Sequence, residues 1–399
     1  MNTSASRRSF RLIVSAAVLL AGCGNARPPS PSAPAPASAS ASAAAETSQP
    51  SAAPTTTAKG PTMLEARAYH RAVRLSDGRV LLVGGARGEN MGINASAELF
   101  DPATNVSVPT GSLEQARYFH TATGLSGDHV LVVGGLGNAS TAVTQVEMWA
   151  RATGAFRAAG STPEPRSLHT ATLLADGRVL VVGGFDSRTG DPTASAWLWD
   201  PATESFSDGG TLAHARAWHT ATLLQDGRVM IAGGPAQAEV WDPATKTFSP
   251  AGSLGAPRWW PTASALPDGR VLIAGGFEGE VFTSGAPALA EAQLWDPTTS
   301  TFTPAGTMAE ARGLHGAVVL TDGRVVVAGG LAGETQPTNS VEWWSPTAMT
   351  FRAGQPMAEA RAGQTLTLLS ADAVLVAGGA ARGSTLSMTS IERIAPPGP

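Results

Sequence analysis

An arginine stands 17 residues before the first glycine of a Gly-Gly pair at seven places in this 399-residue chain. The arginines are Arg67, Arg117, Arg166, Arg216, Arg258, Arg312 and Arg361, and the glycines are Gly84, Gly134, Gly183, Gly233, Gly275, Gly329 and Gly378. Successive pairs lie 50, 49, 50, 42, 54 and 49 residues apart, and only Gly209-Gly210 falls outside the pattern. A period of this size marks a repeat architecture, whose units are each too small to bury a core and must stack on their neighbours. One domain is therefore expected over 55–399, where length alone would suggest two or three. The only cysteine, Cys23, precedes the repeats, so no disulfide holds them together.

The third copy shows what one unit builds. Residues 169–174 and 178–184 are short runs rich in β-forming residues, parted by an Asp176-Gly177 turn that tolerates positive φ, and together they read as an antiparallel hairpin. The run Val179–Val182 hardly alternates, as expected for a strand covered on both faces. A third strand over 196–200 stops at Pro201, where Asp200-Pro201-Ala202-Thr203 fits a type I turn; Asp-Pro-x-Thr recurs at Asp101, Asp242 and Asp296. A phenylalanine follows seven residues after a tryptophan at Trp149/Phe156, Trp199/Phe206, Trp241/Phe248, Trp295/Phe302 and Trp344/Phe351, a pattern that reads as packing between units.

Four strands, a glycine pair closing the second and a later paired aromatic resemble the kelch repeat, over residues 55–399. The resemblance implies an all-β fold, a seven-bladed kelch-type β-propeller with four antiparallel strands per blade. The second copy departs from it with Gly127-Asp128-His129, the seventh with Ala371-Asp372-Ala373, and the first with Ser107 at the phenylalanine position. The seventh copy also ends at residues 391–394 and Pro396, before any fourth strand. Thr55-Thr56-Thr57-Ala58-Lys59 precedes Met63 much as Thr301-Phe302-Thr303 precedes Met308, so the N-terminal segment is expected to close the ring.

The first 22 residues read as an address. Arg7, Arg8 and Arg11 precede the apolar run 12–20, which is short for a membrane span, and Leu20-Ala21-Gly22-Cys23 resembles the lipobox of bacterial lipoproteins. That resemblance implies lipid attachment at Cys23, and Ser6-Arg7-Arg8-Ser9-Phe10 resembles a twin-arginine export signal. Gly24 in place of an aspartate points to the outer membrane of the cell envelope. Removing the leader leaves 24 basic against 31 acidic residues, a formal charge of −7, which argues against a nucleic-acid partner. Residues 23–54 are mostly proline, alanine and serine with no apolar periodicity, a disordered tether.

By resemblance, the loops entering the first strands surround one mouth of the channel, and the seven arginines lie near it. They could form a cationic funnel for an anion or tie loops to neighbouring units. Glu65, Glu164, Glu310 and Glu359 stand two residues before four of them, whereas Arg117, Arg216 and Arg258 have Gln115, His214 and Ala256 there. Tyr118, Trp218, Trp259 and Trp260 gather beside those three. The loop after the second strand is shortest in the fourth copy, Pro235 to Ala238, and longest in the fifth, Phe277 to Glu291. Arg117, Arg216, Arg258, Tyr118, Trp218, Trp259 and Trp260 are therefore the candidate ligand-binding residues; alternatively, the tryptophan pair fills space beneath the long loop.

Histidine follows the arginine by three residues at His70, His120, His169, His219 and His315, with Pro261 and Gln364 in the other two copies. Spread around a ring, these read as hydrogen-bonded strand residues rather than metal ligands, and Asp186 to Asp191 matches a calcium loop only loosely. No metal, cofactor or catalytic residue is assigned. The expected function is a lipid-anchored binding module for a polysaccharide or partner protein, anionic ones included. The alternative is a kelch-type enzyme: a sugar epimerase, or a galactose-oxidase-like protein, whose family binds copper through two tyrosines and two histidines. Tyr69 and Tyr118 are the only tyrosines here.

Overall fold

The structure, a computed structural model, describes residues 60–87, 92–279, 286–333, 336–371, 373–381 and 387–396. The leader, Cys23, the tether and Thr55 to Lys59 lie outside the described residues. In the third repeat, Thr170–Leu173, Val179–Val182, Ser195–Asp200 and Ser205–Thr211 pair in chain order as an antiparallel meander. Among the described residues, five further four-stranded sheets follow the same order, beginning at Arg71, Thr121, Thr220, Thr262 and Gly316. The sheet beginning at Thr365 has three strands. The first strand of each sheet packs on the first strand of the next, and Thr365–Ser370 packs on Arg71–Arg74.

The core lies between sheets, which explains the unalternating second strands. Leu180 and Val182 of the third repeat, for example, pack with Val229, Ile231 and Trp241 of the fourth. The tryptophan and phenylalanine seven residues apart are cross-strand partners over the Asp-Pro turn, as in Trp199 with Phe206 and Trp241 with Phe248. The tryptophans also stitch repeats together: Nε1 of Trp199, Trp241, Trp295 and Trp344 donates to a fourth-strand carbonyl of the preceding repeat, at Ala159, Gly209, Ala251 and Ala305. Each such ring buries on the order of 200 Å2, a contribution of about 5 kcal/mol.

The 17-residue spacing now has a physical cause. In all seven repeats the arginine Nη1 donates to the carbonyl of the first glycine of its own pair, from Arg67 to Gly84 through to Arg361 to Gly378. The arginine's own carbonyl accepts from the second glycine of the preceding repeat, as in Gly135 N–H to Arg166 and Gly184 N–H to Arg216, and Gly379 of the last repeat donates to Arg67 of the first. Only glycine fits this approach. At Gly134 φ is +61°, and a Cβ there would lie 2.5 Å from the Arg166 carbonyl oxygen and 2.7 Å from the His169 ring.

Candidate functional site

The residue two places after each arginine has left-handed backbone in every repeat. Tyr69, Phe119, Leu168, Trp218, Trp260 and Leu314 all have φ between +54° and +56°, and Gly363 has φ +66°. Left-handed backbone is uncommon for bulky side chains, so six such residues in equivalent places need a restraint. A belt of backbone hydrogen bonds supplies it: Phe119 N–H donates to Tyr69, Leu168 to Phe119, Trp218 to Leu168, Trp260 to Trp218, Gly363 to Leu314 and Tyr69 to Gly363. Tyr69, Phe119, Leu168, Trp260 and Leu314 line a cavity of about 150 Å3, together with Arg71, His70, His315 and Gln364 from the starts of the first strands.

The structure brings the predicted aromatic residues together, mostly as core. Tyr118, Trp218 and Trp259 are 3%, 5% and 1% exposed, within an apolar cluster that includes Phe119, Phe185 and Phe277. Trp259 stacks on Phe277 with ring centroids 4.6 Å apart, Trp218 meets Phe185 edge-on at 4.5 Å, and Trp260 leans on both tryptophans. Trp260 alone of the four is half-buried and faces the cavity. The long loop beside it is described only up to Gly279 and from Ala286.

The seven arginines are buried, being at most 5% exposed. Arg117 and Arg216, which have no glutamate two residues upstream, pair instead with Glu147 at 2.5 Å and Glu239 at 2.6 Å. Arg67 pairs with Glu98, Arg312 with Glu342 and Arg361 with Glu392 in the same way. These partners lie on the third strand, two residues before its aromatic in four repeats, a signal present in the sequence but outside the window beside each arginine. The glutamate also accepts a backbone N–H from the incoming loop, such as Glu114 to Glu147 and Ala213 to Glu239. Of the glutamates two residues upstream, Glu164, Glu310 and Glu359 reach their arginine, while Glu65 accepts instead from Ser96. Desolvation lowers the arginine pKa values, partly offset by these glutamates.

Arg258 differs. Its third-strand counterpart is Gln293, its Nη1 bonds to Gly275 and Glu291 carbonyls are both long at 3.4 Å, and its Nε is buried without a partner, as is Gln293 Oε1. Among the described residues no carboxylate lies within ion-pair distance of Arg258.

Four of the five histidines bond a threonine of the preceding repeat at 2.9–3.0 Å: His169 to Thr121, His219 to Thr170, His315 to Thr262 and His70 to Thr365. Burial is the largest cause that holds their pKa values down, followed by the neighbouring arginines. Asp186, the first residue of the loose calcium pattern, is engaged by Arg188 at 2.5 Å. Among the described residues no three His, Cys, Asp or Glu side chains are placed to share a metal ion.

Comparison with known proteins agrees with this fold. The kelch motif matches at residues 166–213 and 312–358, and the all-β structure fits a kelch propeller. No curated protein matches the chain. A solved structure described as a novel fungal alcohol oxidase with catalytic diversity among the AA5 family, in complex with copper, is similar with a TM-score of 0.67 at 16% identity, covering 85% of this chain and 75% of that one. At that identity the likeness is one of fold.

Proposed function

We propose that this chain is a seven-bladed kelch propeller, lipid-tethered through Cys23 to the cell envelope, that binds the end of a glycan chain at the mouth of its axial cavity. One observation carries the ligand reading. Trp260 and Tyr69, both half-buried, line a cavity of about 150 Å3, while Tyr118, Trp218 and Trp259 are packed as core. Ligand pockets for drug-sized molecules span roughly 300–1,000 Å3, so a smaller cavity lined by aromatic rings suits one sugar residue at a chain terminus. The kelch repeats themselves favour a binding module.

Ring closure is supported by bonds between the last and first repeats. Besides Gly379 to Arg67 and His70 to Thr365, Thr62 bridges Ser390, and Ile391 N–H donates to Pro61. Thr62 then stands where Thr211, Ser253 and Thr307 end the fourth strands of other repeats. Deleting residues 55–63 is expected to remove Met63 from the core and lower the thermal midpoint by several degrees, corresponding to about 2–5 kcal/mol for a lost buried methionine. An unchanged midpoint would rule this closure out.

The enzyme readings have less support. Copper chemistry of the kind in the similar alcohol oxidase would need donors gathered at one point. Here Tyr69 packs on Phe119 with centroids 4.8 Å apart, and four histidines are bonded to threonines spread over different repeats, so these donors do not converge as such a site requires. An epimerase would need a free acid and base, and the same bonds take up four of the five repeat histidines.

Binding of the mature chain to neutral and acidic glycans, with Trp260→Ala beside it, tests the proposal. The variant is expected to bind at least tenfold more weakly with its fold intact, because Trp260 is only half-buried. Trp259→Ala would not serve, since truncating a fully packed ring costs about 3–5 kcal/mol of stability. Undiminished binding by Trp260→Ala would move the site away from the mouth, and no glycan binding by the unmodified chain would turn the reading to a protein partner.

A further inference from the structure

We propose that Arg71 makes the axial cavity a receptor for a carboxylate, so that the ligand is a sugar acid such as a terminal uronic acid; this rests on reading the mouth as the glycan-binding face. Arg71 breaks the repeat. The first strand opens with threonine at Thr121, Thr170, Thr220, Thr262 and Thr365 and with glycine at Gly316, but with arginine in the first copy. The exchange has a structural cost. In four other places a threonine there satisfies the histidine of the following repeat, whereas both ring nitrogens of His120, which follows Arg71, are buried without a partner. A departure from a local rule that leaves a buried polar group unsatisfied is a mark of function.

The guanidinium is also available. Its Nε donates to the His120 carbonyl at 2.8 Å, which anchors the side chain and directs the rest of it. Among the described residues no carboxylate lies within ion-pair distance of Arg71, and no aspartate or glutamate lines the cavity. The side chain is open to water, and it lines the cavity. The titratable groups around it, His70, His120 and His169, are held neutral by burial and by nearby arginines, which leaves the field uncompensated and positive. A planar guanidinium in such a setting binds a carboxylate through two parallel hydrogen bonds. Trp260 and Tyr69, which line the same cavity, supply apolar surface for the sugar ring.

Calorimetric titration of the mature chain with glucuronate and with glucose, at pH 7.5 and repeated on Arg71→Thr, separates the possibilities. The variant restores the threonine of the other copies and gives His120 its missing partner, so its thermal midpoint should equal or exceed that of the unmodified chain. Glucuronate is expected to bind at least tenfold more tightly than glucose, and Arg71→Thr to abolish the difference. Equal binding of both sugars by both proteins would leave the mouth as a sugar site and overturn the role of Arg71. No binding of either sugar by the unmodified chain would overturn the two readings together. Should Arg71→Thr fail to fold, phenylglyoxal labelling of Arg71 in the unmodified chain, followed by peptide mass, gives a second answer: protection by glucuronate and not by glucose supports the site, and equal labelling refutes it.

Discussion

Acidification should unfold this protein well above the pH at which its carboxylates titrate, with stability expected to fall from just below pH 6.5. His70, His120, His169, His219 and His315 are all buried with folded pKa values held down, to about 3 for His219 and His315, by desolvation and then by neighbouring arginines. Because the folded pKa lies below the unfolded value near 6.5, the unfolded chain binds more protons in between. The histidine contribution is therefore fully present above pH 6.5 and is lost as pH falls toward the folded values. Each histidine costs about 1.4 kcal/mol per pH unit in that window, so five together cost about 7 kcal/mol per unit, against a typical total stability of about 5–15 kcal/mol. Urea unfolding at stepped pH should show this slope between pH 6.5 and the acid midpoint. Copy seven supplies the control residue, since Gln364 fills the same place and donates to the Ala328 carbonyl at 2.8 Å. The double variant His219→Gln/His315→Gln should reduce the slope to about 4 kcal/mol per unit. A wild-type slope near zero down to pH 5 would show that these side chains are not buried neutral.

That acid sensitivity follows from contacts the sequence could only half disclose. The repeat, the strand order and the pairing of Trp199 with Phe206 were legible because they are local: a period, an Asp-Gly turn and a seven-residue hairpin spacing. The meaning of the arginine was not, because its partners are assembled by folding. Arg117 meets Glu147 from 30 residues away, whereas the eye looks for a carboxylate within a turn. The aromatic cluster was found, but not which ring faces out. Trp259 and Trp260 are sequence neighbours of the same type, yet Trp259 stacks on Phe277 in the core while Trp260, at φ +54°, lines the cavity. No propensity predicts a tryptophan there. Arg71, by contrast, could have been found from the sequence alone by aligning the seven copies and asking which one lacks its threonine or glycine.

Glu147→Ala should cost about 3–5 kcal/mol, among the largest effects expected of any single polar substitution in the ring. Its carboxylate is 1% exposed, pairs with Arg117 at 2.5 Å and accepts the Glu114 N–H at 2.7 Å, so truncation strands a buried cation and an unpaired loop amide together. Much of the loss is the cost of leaving Arg117 buried and alone, which makes the converse change informative. The fifth repeat already has that defect: Arg258 has no carboxylate within reach among the described residues, and Gln293, at the glutamate position, has a buried Oε1 without a partner. Gln293→Glu should therefore stabilise by about 1.5–3 kcal/mol, the range of a hydrogen bond to a charged group, in an environment that four other repeats show to accommodate the pair. Both variants are read by urea unfolding at pH 7.5, where the histidine contribution is constant. A loss below about 1 kcal/mol for Glu147→Ala would mean that water reaches the pair and screens it. Destabilisation by Gln293→Glu would mean that the fifth repeat holds its arginine unpaired for a purpose other than stability, and would make Arg258 the next residue to test against acidic ligands.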